Sequence, residues 1–209
     1  YLAEDELDFS PFSAVAIPVF LSDEIKIIKS RFITALVEFT KLDLNIELAN
    51  WPDFTAKAGE IIEVPISNEN LKRIYLVGVG ESNNDDMRKA ATSLGRKIKG
   101  NNVTLLSALS NDKEQIVNQA ISFILSNYQY TLKSEPKDKK PEFVIYGDFE
   151  EEIERAQIMA TAVWQARDLI HTPSNIKNPD WLAKQATAMV SATKSSSLSI
   201  SIKSGRALK

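Results

Sequence analysis

Arg167, Asp168 and His171 bring a guanidinium, a carboxylate and the chain's sole imidazole together within one short run. An unperturbed imidazole titrates near pH 6.5, so His171 could exchange a proton or ligate a metal at neutral pH. A zinc site needs several convergent ligands, however, and a sequence with one histidine and no cysteine offers no such cluster. No closely spaced set of carboxylates suggests a hard-metal site either. Arg167 and Asp168 are adjacent, and adjacent positions on a helix point apart, so they form no ready acid-base pair. His171 reads as a helix-end side chain bonded to backbone, Arg167 as a pairing group at a domain interface and Asp168 as a brace for the following turn. No catalytic, cofactor-binding or metal-ligating residue is assigned in this chain.

Gly78-Val79-Gly80-Glu81 is the second candidate, because it follows an apolar strand and could cradle a phosphate. A dinucleotide fingerprint needs a third glycine opening the helix, and Met87 and Arg88 occupy that region instead. No Walker lysine follows. The structural strand-to-helix turn is the stronger reading, with ligand binding kept as the alternative. Lys137, Lys139 and Lys140 are interrupted by Asp138 and Glu142, a pattern of a solvated loop rather than a nucleic-acid surface. Tyr128, Tyr130 and Phe143, and likewise Trp164 and Trp181, read as packing residues rather than a stacking platform or a groove cover.

The 209 residues are 44% hydrophobic, enough for one large domain or one domain plus part of a second. With 25 basic and 28 acidic side chains interspersed, the formal charge of -3 argues against a nucleic-acid partner. Absence of cysteine excludes disulfides and thiolate chemistry. No apolar run approaches a membrane span, so no membrane partner and a cytoplasmic location are expected.

Around these candidates the pattern alternates between strands and helices. Ala14-Val15-Ala16-Ile17-Pro18-Val19-Phe20 reads as a strand, with Pro18 at its end or on a sheet edge. A helix is expected to follow, capped by Ser22 or Asp23, with Ile25, Ile28, Phe32, Leu36 and Phe39 on its buried face. Strands are expected at residues 60–67, 71–78, 103–106 and 143–146, and helices from Asp85 through Lys99 and from Asn111 or Asp112 toward Asn127. The charged stretch 133–141 reads as an exposed loop. Residues 150–170 form a helix with Ala156, Met159, Ala160, Val163, Ala166 and Ile170 as its stripe. Asn178 caps a further helix opened by Pro179, and Leu198-Ser199-Ile200-Ser201-Ile202 alternates like a strand. Such alternation supports an α/β architecture, a mixed sheet flanked by helices.

Ala166-Arg167-Asp168-Leu169-Ile170-His171-Thr172-Pro173-Ser174-Asn175 closely resembles the ARDLxNxPxN signature that opens the catalytic domain of the leucyl aminopeptidases, two-metal cytosolic peptidases. Upstream, Ile74-Tyr75-Leu76-Val77-Gly78-Val79-Gly80 with Arg88-Lys89-Ala90-Ala91 and Leu94-Gly95-Arg96 is similar to the VGxG turn and RxAxxxxGR helix of that family's N-terminal domain. Tyr128-Gln129-Tyr130-Thr131-Leu132-Lys133-Ser134 resembles its YxFxxYKS segment. Pro173, Asn175, Pro179, Leu182 and Ala183 continue the likeness. His171 stands where the family has asparagine, and Asn127 where it has glycine.

The resemblance implies a macro-like N-terminal α/β domain at residues 1–149, a connecting helix at 150–170 and an incomplete start of the peptidase domain at 171–209. It implies a full-length enzyme that removes N-terminal residues, often leucine, from peptide substrates and assembles as a homo-oligomer, commonly a hexamer. Two divalent metals, manganese or zinc, would serve that enzyme. The NTDKEGR-like and KGITFDSGG-like motifs that carry its metal ligands do not occur here. The fragment is therefore expected to hold no metal, to be inactive alone and to act in assembly or regulation; the alternative is a noncatalytic ligand-binding or regulatory macro-like module. Macro-like architecture does not by itself establish ADP-ribose recognition.

Overall fold

The computed structural model describes residues 7–21, 24–132, 140–193 and 197–205. Expectations resting on Ser22, Asp23 and residues 133–139, including Lys137, Asp138 and Lys139, lie outside the described residues. Compactness divides the chain into Tyr1–Trp164 and Gln165–Lys209.

In the first unit the elements run β1 (Ala14–Leu21), β2 (Ile25–Lys26), α1 (Arg31–Thr40), α2 (Leu44–Ala49), β3 (Ile61–Pro65), β4 (Arg73–Gly78), α3 (Asn84–Ile98), β5 (Thr104–Ser107), α4 (Lys113–Ser126), β6 (Glu142–Ile145) and then α5 (Glu150–His171), within which the division falls. The sheet order is β3-β4-β1-β5-β6, with β2 folded back on the end of β1. Strands β4, β1, β5 and β6 are parallel, while β3 pairs antiparallel with β4. The expected mixed α/β sheet is the observed one.

β1 is the central strand, and Ala14 through Ile17 are wholly buried. Its alternation sorts two cores. Val15, Ile17 and Val19 pack with Phe32 and Leu36 of α1 and Leu44 of α2. Ala14 and Ala16 face Met87, Ala90, Ala91 and Leu94 of α3. A strand covered on both faces loses the alternation of polarity that marks a half-exposed one, which is why β1 reads as a continuous apolar run. Pro18 is neither terminal nor on an edge, contrary to expectation. It lies two residues past the last β1–β5 pair, Ala16↔Ser107, while pairing to β4 continues through Val19↔Gly78. Its missing N–H is therefore lost where β5 has already ended.

The first helix starts later than the periodicity suggested. Ile25 pairs with Leu21 in a hairpin, and α1 begins at Arg31, where the Ser30 hydroxyl accepts from the Ile33 N–H at 3.2 Å. Phe32 and Leu36 are buried, but Ile25, Ile28 and Phe39 are exposed. The other helices carry caps close to the expected places: Asn83 on α3 and Asp112 on α4. On α5, Ala156 and Ala160 are buried, whereas Met159 and Val163 are exposed, so the expected stripe narrows to its two alanines.

The second unit contains α6 (Pro179–Thr193), capped by the Asn178 side chain on the Trp181 N–H at 2.8 Å. No side chain of α6 is buried. Residues 198–202 are irregular and exposed, not a strand. Period-two alternation makes a strand only where a neighbouring edge can take its backbone groups, and no pairing partner is found among the described residues.

Ser30→Ala is expected to lower the unfolding free energy by about 1 kcal/mol through loss of the cap. Leu36→Ala should cost about 2–5 kcal/mol, while Ile28→Ala should change stability by less than about 0.5 kcal/mol. Urea denaturation of the three variants checks this placement of α1.

Candidate functional site

In an open α/β sheet, chemistry is most often found beyond the carboxyl ends of the parallel strands. Here that end holds the Gly78-Val79-Gly80-Glu81-Ser82 turn, and its backbone donors all have acceptors within the protein. Gly78 N–H donates to Glu60 O at 2.8 Å, Val79 N–H to Val19 O at 3.0 Å, Gly80 N–H to Ala56 O at 3.0 Å and Ser82 N–H to Val79 O at 2.9 Å. The remaining donor, Glu81 N–H, bonds the Asp86 carboxylate at 3.1 Å. That carboxylate also accepts from the Asn83 side-chain amide at 3.1 Å and pairs with Lys89 at 3.4 Å. It places a negative charge on the Glu81 N–H at the start of α3, where that donor and the positive end of the helix dipole would otherwise favour an anion.

Glycine is required at both positions for different reasons. Gly80 has φ +56°, and a Cβ there would lie 2.7 Å from the Asp86 carboxylate. At Gly78 a Cβ would meet the Lys57 carbonyl oxygen at 2.3 Å and the Ala56 carbonyl carbon at 2.7 Å, both backbone atoms. The turn is further tied down by Gln115, whose side-chain N–H donates to Ser82 O at 2.5 Å while Ser110 donates to its carbonyl at 2.6 Å. The Ala56–Glu60 loop that receives these bonds is closed by Glu60, which accepts from both Thr55 N–H and Thr55 hydroxyl at 2.8 Å. Asp86, Gln115 and Glu60 were not singled out from the sequence. Asn83 and Asp86 do stand at the i, i+3 spacing of a reciprocal cap, and Asp86 N–H donates to Asn83 Oδ1 at 2.9 Å.

Charged groups elsewhere in this unit also pair inward. Glu63 of β3 holds Arg73 of β4 at 2.9 Å and Lys97 of α3 at 3.1 Å. Beside them Tyr75 is 1% exposed. Burial raises the pKa of its phenol above the ordinary 10.0, partly offset by the hydrogen bond with Arg73. Lys113 and Glu152 pair at 2.7 Å, which lowers the Glu152 carboxyl and raises the Lys113 ammonium. Among the aromatics, Phe143 stacks on Phe123 with ring centroids 4.5 Å apart, and Tyr128 meets Trp164 at 6.0 Å. Asn127 has φ -97°, a conformation that does not require glycine.

In the second unit, the Arg167, Asp168 and His171 run ends a helix. His171 Nδ1 lies 2.8 Å from Arg167 O, and since a carbonyl oxygen only accepts, Nδ1 carries the proton. Thr172 donates through both N–H (3.0 Å) and hydroxyl (2.7 Å) to Asp168 O, and Lys177 Nζ donates to Ile170 O at 2.9 Å. The Thr172 and Lys177 side chains thus bond carbonyls that the helix end leaves without intrahelical partners, and His171 bonds the carbonyl just before them. Asp168 braces the turn through its carbonyl. Trp181 is half-buried. Among the described residues, no group of three or more His, Cys, Asp or Glu side chains could hold a metal, and no helix is long and apolar enough to cross a membrane.

With this geometry in hand, residues 42–136 match the model of the cytosol aminopeptidase family, N-terminal domain. The chain is 30% identical over 151 residues to a "Probable cytosol aminopeptidase" of Aquifex aeolicus (strain VF5), covering 66% of this chain and 31% of the relative. It is 24% identical over 220 residues to "Leucine aminopeptidase 2, chloroplastic" of Oryza sativa subsp. japonica, covering 90% and 36%. Among solved structures, a tomato leucine aminopeptidase mutant superposes with a TM-score of 0.67 at 22% identity, covering 87% of this chain and 39% of that one. The bottromycin maturation enzyme BotP gives 0.66 at 18% identity, covering 87% and 38%. These likenesses of structure concern the fold. The chain spans about a third of the length of the curated relatives it matches.

Gly78→Ala should destabilise the protein by about 1–3 kcal/mol or more, because backbone rather than a movable side chain meets the new Cβ; urea titration reads the loss. Raised in the folded state, the Tyr75 pKa makes a stability contribution fully present below pH 10 and drained as pH rises through the folded value. Unfolding free energy should therefore fall between pH 9 and pH 11, roughly the window of phenol ionisation, and fall less steeply in Tyr75→Phe.

Proposed function

Because this chain carries the N-terminal domain of the cytosol aminopeptidase family, we propose that it is the noncatalytic part of a metal-dependent leucyl aminopeptidase. The longer protein releases N-terminal amino acids from peptides in the cytoplasm. Its two divalent metals, manganese or zinc, supply a Lewis acid and an activated water when bound. The described residues do not fit such a pair: no group of three or more candidate ligands converges. Asp86, Glu60 and Glu63 are each engaged in bonds within the fold. In this reading the ligands are supplied by other parts of the longer protein, and no catalytic step is assigned to these residues.

The observation that carries this reading is the closed carboxyl end of the sheet. Every N–H from Gly78 to Ser82 is used internally, so the position where an α/β domain most often recruits a ligand serves here to brace strand, loop and helix. A domain whose Gly78–Ser82 donors are all used internally, and whose described residues hold no convergent ligands, contributes assembly, within a homo-oligomer of hexameric type, or positions the catalytic domain. The reading as a phosphate-binding macro-like module is disfavoured by the Asp86 carboxylate in the anion position.

The test is an assay of leucine p-nitroanilide hydrolysis by this chain and by the uninterrupted gene product, each with and without manganese or zinc. The chain alone is expected to release no p-nitroaniline with either metal, and the longer product to release it in a chelator-sensitive way. Metal-dependent hydrolysis by the chain alone would overturn the assignment.

A further inference from the structure

We draw no further inference here: the strongest candidate, the apolar hollow walled by Ile25 of β2, Leu48 of α2 and the following Trp51, Pro52 and Phe54, is an unpartnered apolar surface, and nothing in the structure shows what covers it.

Discussion

A parallel strand buried on both faces is the constraint from which the rest of this fold follows. Ala14 through Ile17 of β1 have no exposure, so each face of the central strand needs a helical layer. The two faces are met differently. Branched Val15, Ile17 and Val19 pack beneath Phe32 and Leu36, whereas the small Ala14 and Ala16 lie under the α3 layer with its Ala90 and Ala91. Parallel neighbours on both sides then place the chain reversals at the two ends of the sheet.

At the carboxyl end that requirement becomes a hydrogen-bonding problem, because the turn after β4 exposes five successive backbone donors near a helix start. The protein solves it with its own groups: carbonyls of β1, of the 56–60 loop and of Val79 in the turn itself, and one carboxylate from α3. An unsatisfied buried donor costs about 1–3 kcal/mol, so this closure stabilises the junction and leaves none of the five turn donors free for an anion. A similar economy ends α5, where Thr172 and Lys177 bond its last carbonyls and His171 the one just before them. Groups that look reactive in the sequence are in both cases finishing backbone ends.

Elements with a strong local signal were legible in the sequence. Asp112 and Asn178 cap helices as their types and positions suggested, and the β4 strand running into Gly78 and Gly80 is where its apolar run placed it. The misplaced boundaries depended on tertiary partners. Ile25 and Ile28 continue a helical spacing, yet Ile25 is drawn into a hairpin with the end of β1. Pro18 looked like an edge residue because the local sequence does not reveal that β5 is shorter than β1. Met159 and Val163 share a helical repeat with Ala156 and Ala160, but the inward face of α5 takes only the alanines. Asp86 could be read as a helix-start acid; that it would answer Glu81 N–H was set by the conformation of Gly80.

The central claim, that the carboxyl end of the sheet is closed by the protein itself, is tested most directly by amide hydrogen exchange at Gly78 through Ser82 with and without millimolar inorganic phosphate or ADP-ribose. Internally bonded amides should exchange slowly at all five positions, at rates neither anion alters. Fast exchange that phosphate or ADP-ribose slows would contradict the account, since it would show donors left open for a ligand.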